Sequence, residues 1–134
     1  MLRYAVILSP LVLLSACSGA PAELAGSRWT LTQLGDAPVA TADPERVPYL
    51  IFESAGRVGG HGGCNQFGGD YAIEGSTIAI TGTVATLMAC TDGMATEKGF
   101  LAALESARSY RIEGQRLDLL DANGALLARF EATP

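Results

Sequence analysis

From Tyr49 to Glu131, apolar and polar residues trade places at every second position through much of the chain, and glycines break the alternation at short intervals. A period of two belongs to a strand with one dry and one wet face, because successive side chains leave a strand on opposite sides. Leu50 and Phe52 share a face, Ala55-Gly56 turns, and Phe67 to Ile73 makes a further strand closed by Glu74-Gly75. Ile78 and Ile80 point one way while Thr77 and Thr81 point the other. The pattern is cleanest near the end. Tyr110 and Ile112 alternate with Arg111 and Glu113, Gly114 turns, and Leu117 and Leu119 alternate with Arg116 and Asp118. Asn123-Gly124 then marks a hairpin into Leu126, Ala128 and Phe130, which alternate with Leu127, Arg129 and Glu131.

Two stretches complete the outline. Ser27 to Leu34 carries strand-forming residues and stops at Gly35-Asp36, after which Ala37 to Pro48 holds three prolines and reads as a loop or an edge crossing. Met94 to Ser109 abandons the strand period: Phe100, Leu101, Leu104 and Ala107 recur at helical spacing, with Glu97, Lys98, Glu105 and Arg108 placed to face water. Thr91 or Asp92 is positioned to cap its start. Gly99 inside this helix costs about 1 kcal/mol relative to alanine, so the helix needs a sheet to pack on. Seven or eight short strands and one helix predict a mainly β fold, a small curled antiparallel sheet or β-barrel.

The first residues belong to a different object. Arg3 is followed by the apolar run Ala5 to Leu14 and then by small residues ending at Cys17, the three parts of an export signal. That run is far shorter than the roughly 20 residues a membrane-crossing helix needs. Leu14-Ser15-Ala16-Cys17 resembles the lipobox of bacterial lipoproteins. The resemblance implies cleavage before Cys17, fatty acyl chains (palmitate among them) on that cysteine, and an anchor that holds the chain to a membrane outside the cytoplasm. Ser18 in the next position is the type associated with the outer membrane of a Gram-negative host, facing the periplasm. The expected organisation is thus a signal peptide over 1–16, a lipidated tether over 17–25 and one domain over 26–134.

Charge narrows the partners. Acidic residues outnumber basic ones 14 to 9 for a net −5, and losing Arg3 with the signal makes the balance more negative still. With no basic cluster, nucleic acid and electrostatic docking on anionic lipid are not expected. Of three cysteines, lipidation takes Cys17 and leaves the pair Cys64 and Cys90, for which a disulfide is the default in an oxidising envelope. In the chain-entropy model, closing a loop of about 26 residues restricts the unfolded chain by roughly 3.5 kcal/mol. The alternatives are a thiolate nucleophile activated by His61, the chain's one histidine, and a metal site. Zinc asks for three or four protein ligands and finds too few here.

Other suggestive residues have plainer readings. The glycines from Gly56 to Gly69 lack the Gly-Lys-Ser/Thr ending of a phosphate cradle and suit tight turns and close backbone packing. Trp29 and Tyr71 fit core filling better than a ligand pocket, and Asn65 fits bonding to the backbone of its own turn. The acidic residues are scattered and most read as solvated, with no carboxylate dyad or calcium loop.

Three segments resemble the META/HslJ family of small envelope proteins. Gly26-Ser27-Arg28-Trp29-Thr30-Leu31-Thr32-Gln33-Leu34 is similar to its opening strand. Gly62-Gly63-Cys64-Asn65-Gln66-Phe67-Gly68-Gly69-Asp70-Tyr71 is similar to its GCN-x-F-x-G-x-Y signature, and Thr86-Leu87-Met88-Ala89-Cys90 to its T-x-M-x-C. The resemblance spans residues 26 to 131. It implies a barrel-like domain with one helix, often lipid-anchored and linked to heat-shock or drug-tolerance phenotypes, with no catalytic residue to carry over. The leading expectation is a non-catalytic, lipid-anchored envelope protein that binds or stabilises an envelope component. It has no catalytic, cofactor or metal residue, and its special positions are Cys17 for lipid and Cys64 with Cys90 for a disulfide. The alternatives are a small-ligand-binding barrel and a thiol enzyme using Cys64 with His61.

Overall fold

Strands follow one another around a ring. The computed structural model describes residues 22–39 and 43–133, so Cys17, the export signal and residues 18–21 of the tether lie outside the described residues. The elements are β1 (Arg28–Leu34), the two-residue β2 (Ala37–Pro38), a 3-10 turn (Pro44–Arg46), β3 (Tyr49–Phe52), β4 (Arg57–His61), β5 (Gln66–Glu74), β6 (Thr77–Ala85), α1 (Met94–Ser106), β7 (Ser109–Glu113), β8 (Arg116–Leu120) and β9 (Leu126–Thr133). Each strand lies antiparallel to the next in the order β2-β1-β3-β4-β5-β6-β7-β8-β9, and β9 returns to pair with β1. The sheet therefore closes on itself, with β2 as a short appendage on the rim. Arg28 faces Thr133 and Leu34 faces Ala128 across the closing seam. The weakest seam is β6 against β7, which meet only where Thr77 faces Ser109.

The alternating residues fill the ring as their period dictates. Trp29, Leu50, Phe52, Ile78, Leu117, Leu119, Ala128 and Phe130 are all buried on the inner face. One mouth is plugged by α1. Phe100 on this helix sets its ring edge-on to Phe67 at 5.5 Å and tilted against Phe130 at 5.9 Å, so it meets β5 and β9 at once. Leu104 is sealed beside it. The incoming chain covers the other mouth: Ala22 and Leu24 pack against the core, Ala22 N–H donates to the Gly114 carbonyl, and Trp29 Nε1 donates to the Leu24 carbonyl.

Several expectations need correction. The helix ends at Ser106 rather than Ser109 because Ala107 turns extended, its N–H bonded to the Leu104 carbonyl, and Ser109 already pairs in β7. Neither Thr91 nor Asp92 caps its start. Gly93 takes that position in the left-handed region at φ 90° and offers no side chain. Glu97 and Asp118, both read as facing water, are 6% and 1% exposed.

Candidate functional site

At the mouth plugged by α1, three segments far apart in sequence are tied into one clasp. The β4–β5 connection delivers Gly62 to Asn65, the chain after β6 delivers Thr86 to Cys90, and the first turn of α1 delivers Glu97. Cys64 and Cys90 are joined by a disulfide, S–S 2.03 Å and Cα–Cα 5.9 Å. Beside it, the Glu97 carboxylate accepts from the backbone N–H of Cys64 at 3.2 Å, from the N–H of Asn65, and from Asn65 Nδ2 at 2.8 Å. Asn65 uses its whole amide. Nδ2 also donates to the Met88 carbonyl at 3.2 Å, and Oδ1 accepts from Met88 N–H at 2.7 Å and from the Thr86 hydroxyl at 2.9 Å. Its partners lie in the segment after β6 and on α1, not in its own turn as the sequence suggested.

The glycines of the signature make this approach possible. A Cβ on Gly62 would stand 2.6 Å from Glu97 Cγ, and Gly63 holds φ 116°, a backbone conformation that side-chain-bearing residues rarely adopt. The Glu97 carboxylate has no cation in the clasp. Three neutral N–H groups hold it, and it also sits in the first turn of α1, where the unpaired amides of the helix favour negative charge. Glu97 was the residue that sequence reasoning missed. A carboxylate at helical spacing looks solvated, and the signal that would have found it is the pair of bare N–H groups a glycine-rich turn leaves behind.

A second sealed carboxylate lies on the outer face of the ring. Asp118 in β8 accepts from Arg129 Nε at 2.8 Å and from Arg111 at 3.1 Å, and Arg116 Nε stands 3.7 Å away. The three arginines are 31% to 51% exposed while Asp118 is 1% exposed. Burial pushes its carboxyl up, but the hydrogen bonds from Arg129 and Arg111 and the charges of Arg129 and Arg116 outweigh this and hold it below the ordinary 3.8.

The remaining candidates separate. His61 accepts a hydrogen bond at Nδ1 from the Gly63 N–H, 3.1 Å, and serves the turn into the clasp. Trp29 is fully buried in the core. Tyr71 sets its ring edge-on to Phe52 at 4.9 Å and donates its hydroxyl to the Glu53 carbonyl. No group of three or more His, Cys, Asp or Glu arranged for a metal exists among the described residues. Against the clasp, an open apolar groove of about 630 Å³ runs between the Ala85–Ala89 segment and α1, with Met94, Lys98 and Leu101 on the helix side.

A protein from Burkholderia xenovorans, solved by NMR, superposes with a TM-score of 0.68 at 22% identity, over 94% of this chain and 99% of that one. A DUF4847 family protein from Bacteroides vulgatus, solved by crystallography, superposes at 0.60 with 17% identity over 81% of this chain and 93% of its own. At such identities these likenesses establish the fold alone. No curated protein matches the sequence. The META domain family model matches residues 22–134, from the incoming chain that covers one mouth through the clasp at the other to the closing strand, and this chain belongs to the META domain family.

Proposed function

We propose that this chain is a lipid-anchored envelope protein whose META domain works by binding or stabilising another envelope component, not by catalysis. One observation carries the reading: every side chain with chemical capacity around the signature is already used. The Cys64 and Cys90 thiols are consumed in a disulfide, Asn65 and Glu97 satisfy each other and the backbone, and His61 accepts from Gly63. A nucleophile needs a free thiolate beside its base, and Cys64 offers none in this state. The ring interior, filled by Trp29, Phe52, Phe100 and Phe130, favours recognition on the outside over a small ligand held within.

The test is complementation of a deletion strain by His61→Ala, Cys17→Ala and Cys64→Ala at matched protein levels. His61→Ala should restore the strain. Cys17→Ala should fail through loss of location and Cys64→Ala through loss of stability. Complete failure of a folded, anchored His61→Ala protein would replace this reading with a chemical role for the imidazole.

A further inference from the structure

Among the described residues, five large hydrophobic side chains are strongly exposed, and four of them fall in two short stretches beside the clasp: Val84, Leu87, Met88 and Met94, with Ile73 elsewhere. Leu87 is 99% exposed. Leu87, Met88 and Met94 line the open groove with Ala85, Ala89 and Leu101. Contiguous exposed apolar surface of this kind marks an interaction site more often than chance. The segment that carries it is also firmly fastened. Asn65 grips both the N–H and the carbonyl of Met88, its Oδ1 holds Thr86, and the disulfide ties Cys90. Holding an apolar surface loop rigid with a covalent bond and a buried amide prepares a surface in its bound shape, which lowers the ordering cost of association.

We propose that this groove docks an apolar peptide segment of another envelope protein, one carboxylate of that segment resting on Lys98. The proposal rests on the binding reading above and locates its site. Two observations select this occupant. Lys98 is the chain's only lysine, lies at the groove, and has no ion pair among the described residues. It marks the spot where an otherwise acidic domain accepts an anionic group.

The second is the position of the tether. Ala22 enters at the Gly114 turn, where β7 joins β8, while the groove adjoins the opposite mouth. With Cys17 as the anchor, the tether to Ala22 spans at most about 18 Å. The nine residues of β6 rise about 30 Å along the strand. The Ala22 mouth is therefore the one held toward the bilayer, and the groove faces away from it.

The experiment selects a random twelve-residue peptide library on the full-length lipoprotein in nanodiscs, in parallel on Leu87→Asp and Lys98→Glu. Both positions are exposed, so the fold is kept; circular dichroism and intact disulfide content verify this. The expected outcome is an enriched set with several apolar residues and an Asp or Glu. Its binding should drop about tenfold or more on Leu87→Asp, the scale of losing a central apolar anchor. On Lys98→Glu the enrichment should switch from acidic to basic peptides. Enrichment of no groove-dependent sequence, or indifference to the charge reversal, overturns the proposal. So does Leu87-dependent uptake of the lipid-free chain by phosphatidylethanolamine–phosphatidylglycerol vesicles, which would make the groove a membrane contact. A dimer that Leu87→Asp dissociates would make the occupant a second copy. If Leu87→Asp loses the peptides yet complements the deletion strain, the groove is not the working site and the broader binding reading stands. If His61→Ala fails complementation while peptides still bind, the reverse holds.

Discussion

Glu97 and Asp118 are both carboxylates withdrawn from water, and the protein neutralises them in opposite ways. Asp118 lies under three arginines whose side chains reach over it from the solvent side of the sheet. Its compensation is charge, supplied by long, partly hydrated side chains, any one of which can be lost while two remain. Glu97 has only N–H dipoles from Cys64, Asn65 and the Asn65 amide, all locked by the fold. The lesson is one of dependence. Asp118 relies on neighbours that exist whether or not it is ionised, whereas the glycine-rich turn at the clasp relies on Glu97 to satisfy its buried donors.

The comparison can be broken most directly at the clasp. Glu97→Ala leaves three donors in a sealed space without an acceptor, and each such orphan costs about 1–3 kcal/mol. Chemical denaturation of the disulfide-intact protein should show a loss of about 3 kcal/mol or more; a loss under about 1 kcal/mol would mean water replaces the carboxylate. Cys64→Ala should cost about 2–5 kcal/mol, the usual range for a native bridge in a small secreted domain. Combined with Glu97→Ala it should show clear non-additivity, because both changes act on one turn.

Asp118→Asn should cost less, about 1–2 kcal/mol, since an acceptor oxygen remains for the arginines. Its pH dependence sharpens the contrast. The folded carboxyl lies below the ordinary 3.8, so its contribution is complete above that value and is lost as pH falls through the lower folded one. The stability gap between wild type and Asp118→Asn should stay level from about pH 7 to about pH 5 and close below about pH 4. A gap that widens on acidification would contradict the arginine account. Smallest of all, Lys98→Ala, one residue from Glu97 but exposed, should move stability by less than about 0.5 kcal/mol. Its effect belongs to binding.

The sequence made the inner face readable because burial and period agree there. Leu117 and Leu119, Ala128 and Phe130, and Phe100 with Leu104 all lie where their spacing put them. The end of the helix was misjudged for a related reason: Ala107 is buried, as its helical spacing implied, but it reaches the core from an extended backbone. The clasp was only half readable. The cysteines and glycines announce a constrained turn, yet the partner of that turn is a carboxylate 32 or 33 residues further along, and no local rule sends a charged residue indoors. Asp118 failed the same test. Alternation placed it correctly on the outer face, but one strand says nothing about arginines arriving from its two neighbours to cover it.

The seam between β1 and β9 sets a rule for how this chain acquires its shape. Arg28 pairs with Thr133, and the Thr133 hydroxyl donates to the Arg28 carbonyl 105 residues away. Closing so long a loop carries an entropic penalty before any contact rewards it, and folds dominated by such pairings form slowly. During synthesis or passage through a narrow pore, the first strand of the ring has no final partner until the last strand emerges. Ring closure therefore waits for the C-terminal strand, and until that strand arrives β1 keeps one edge open.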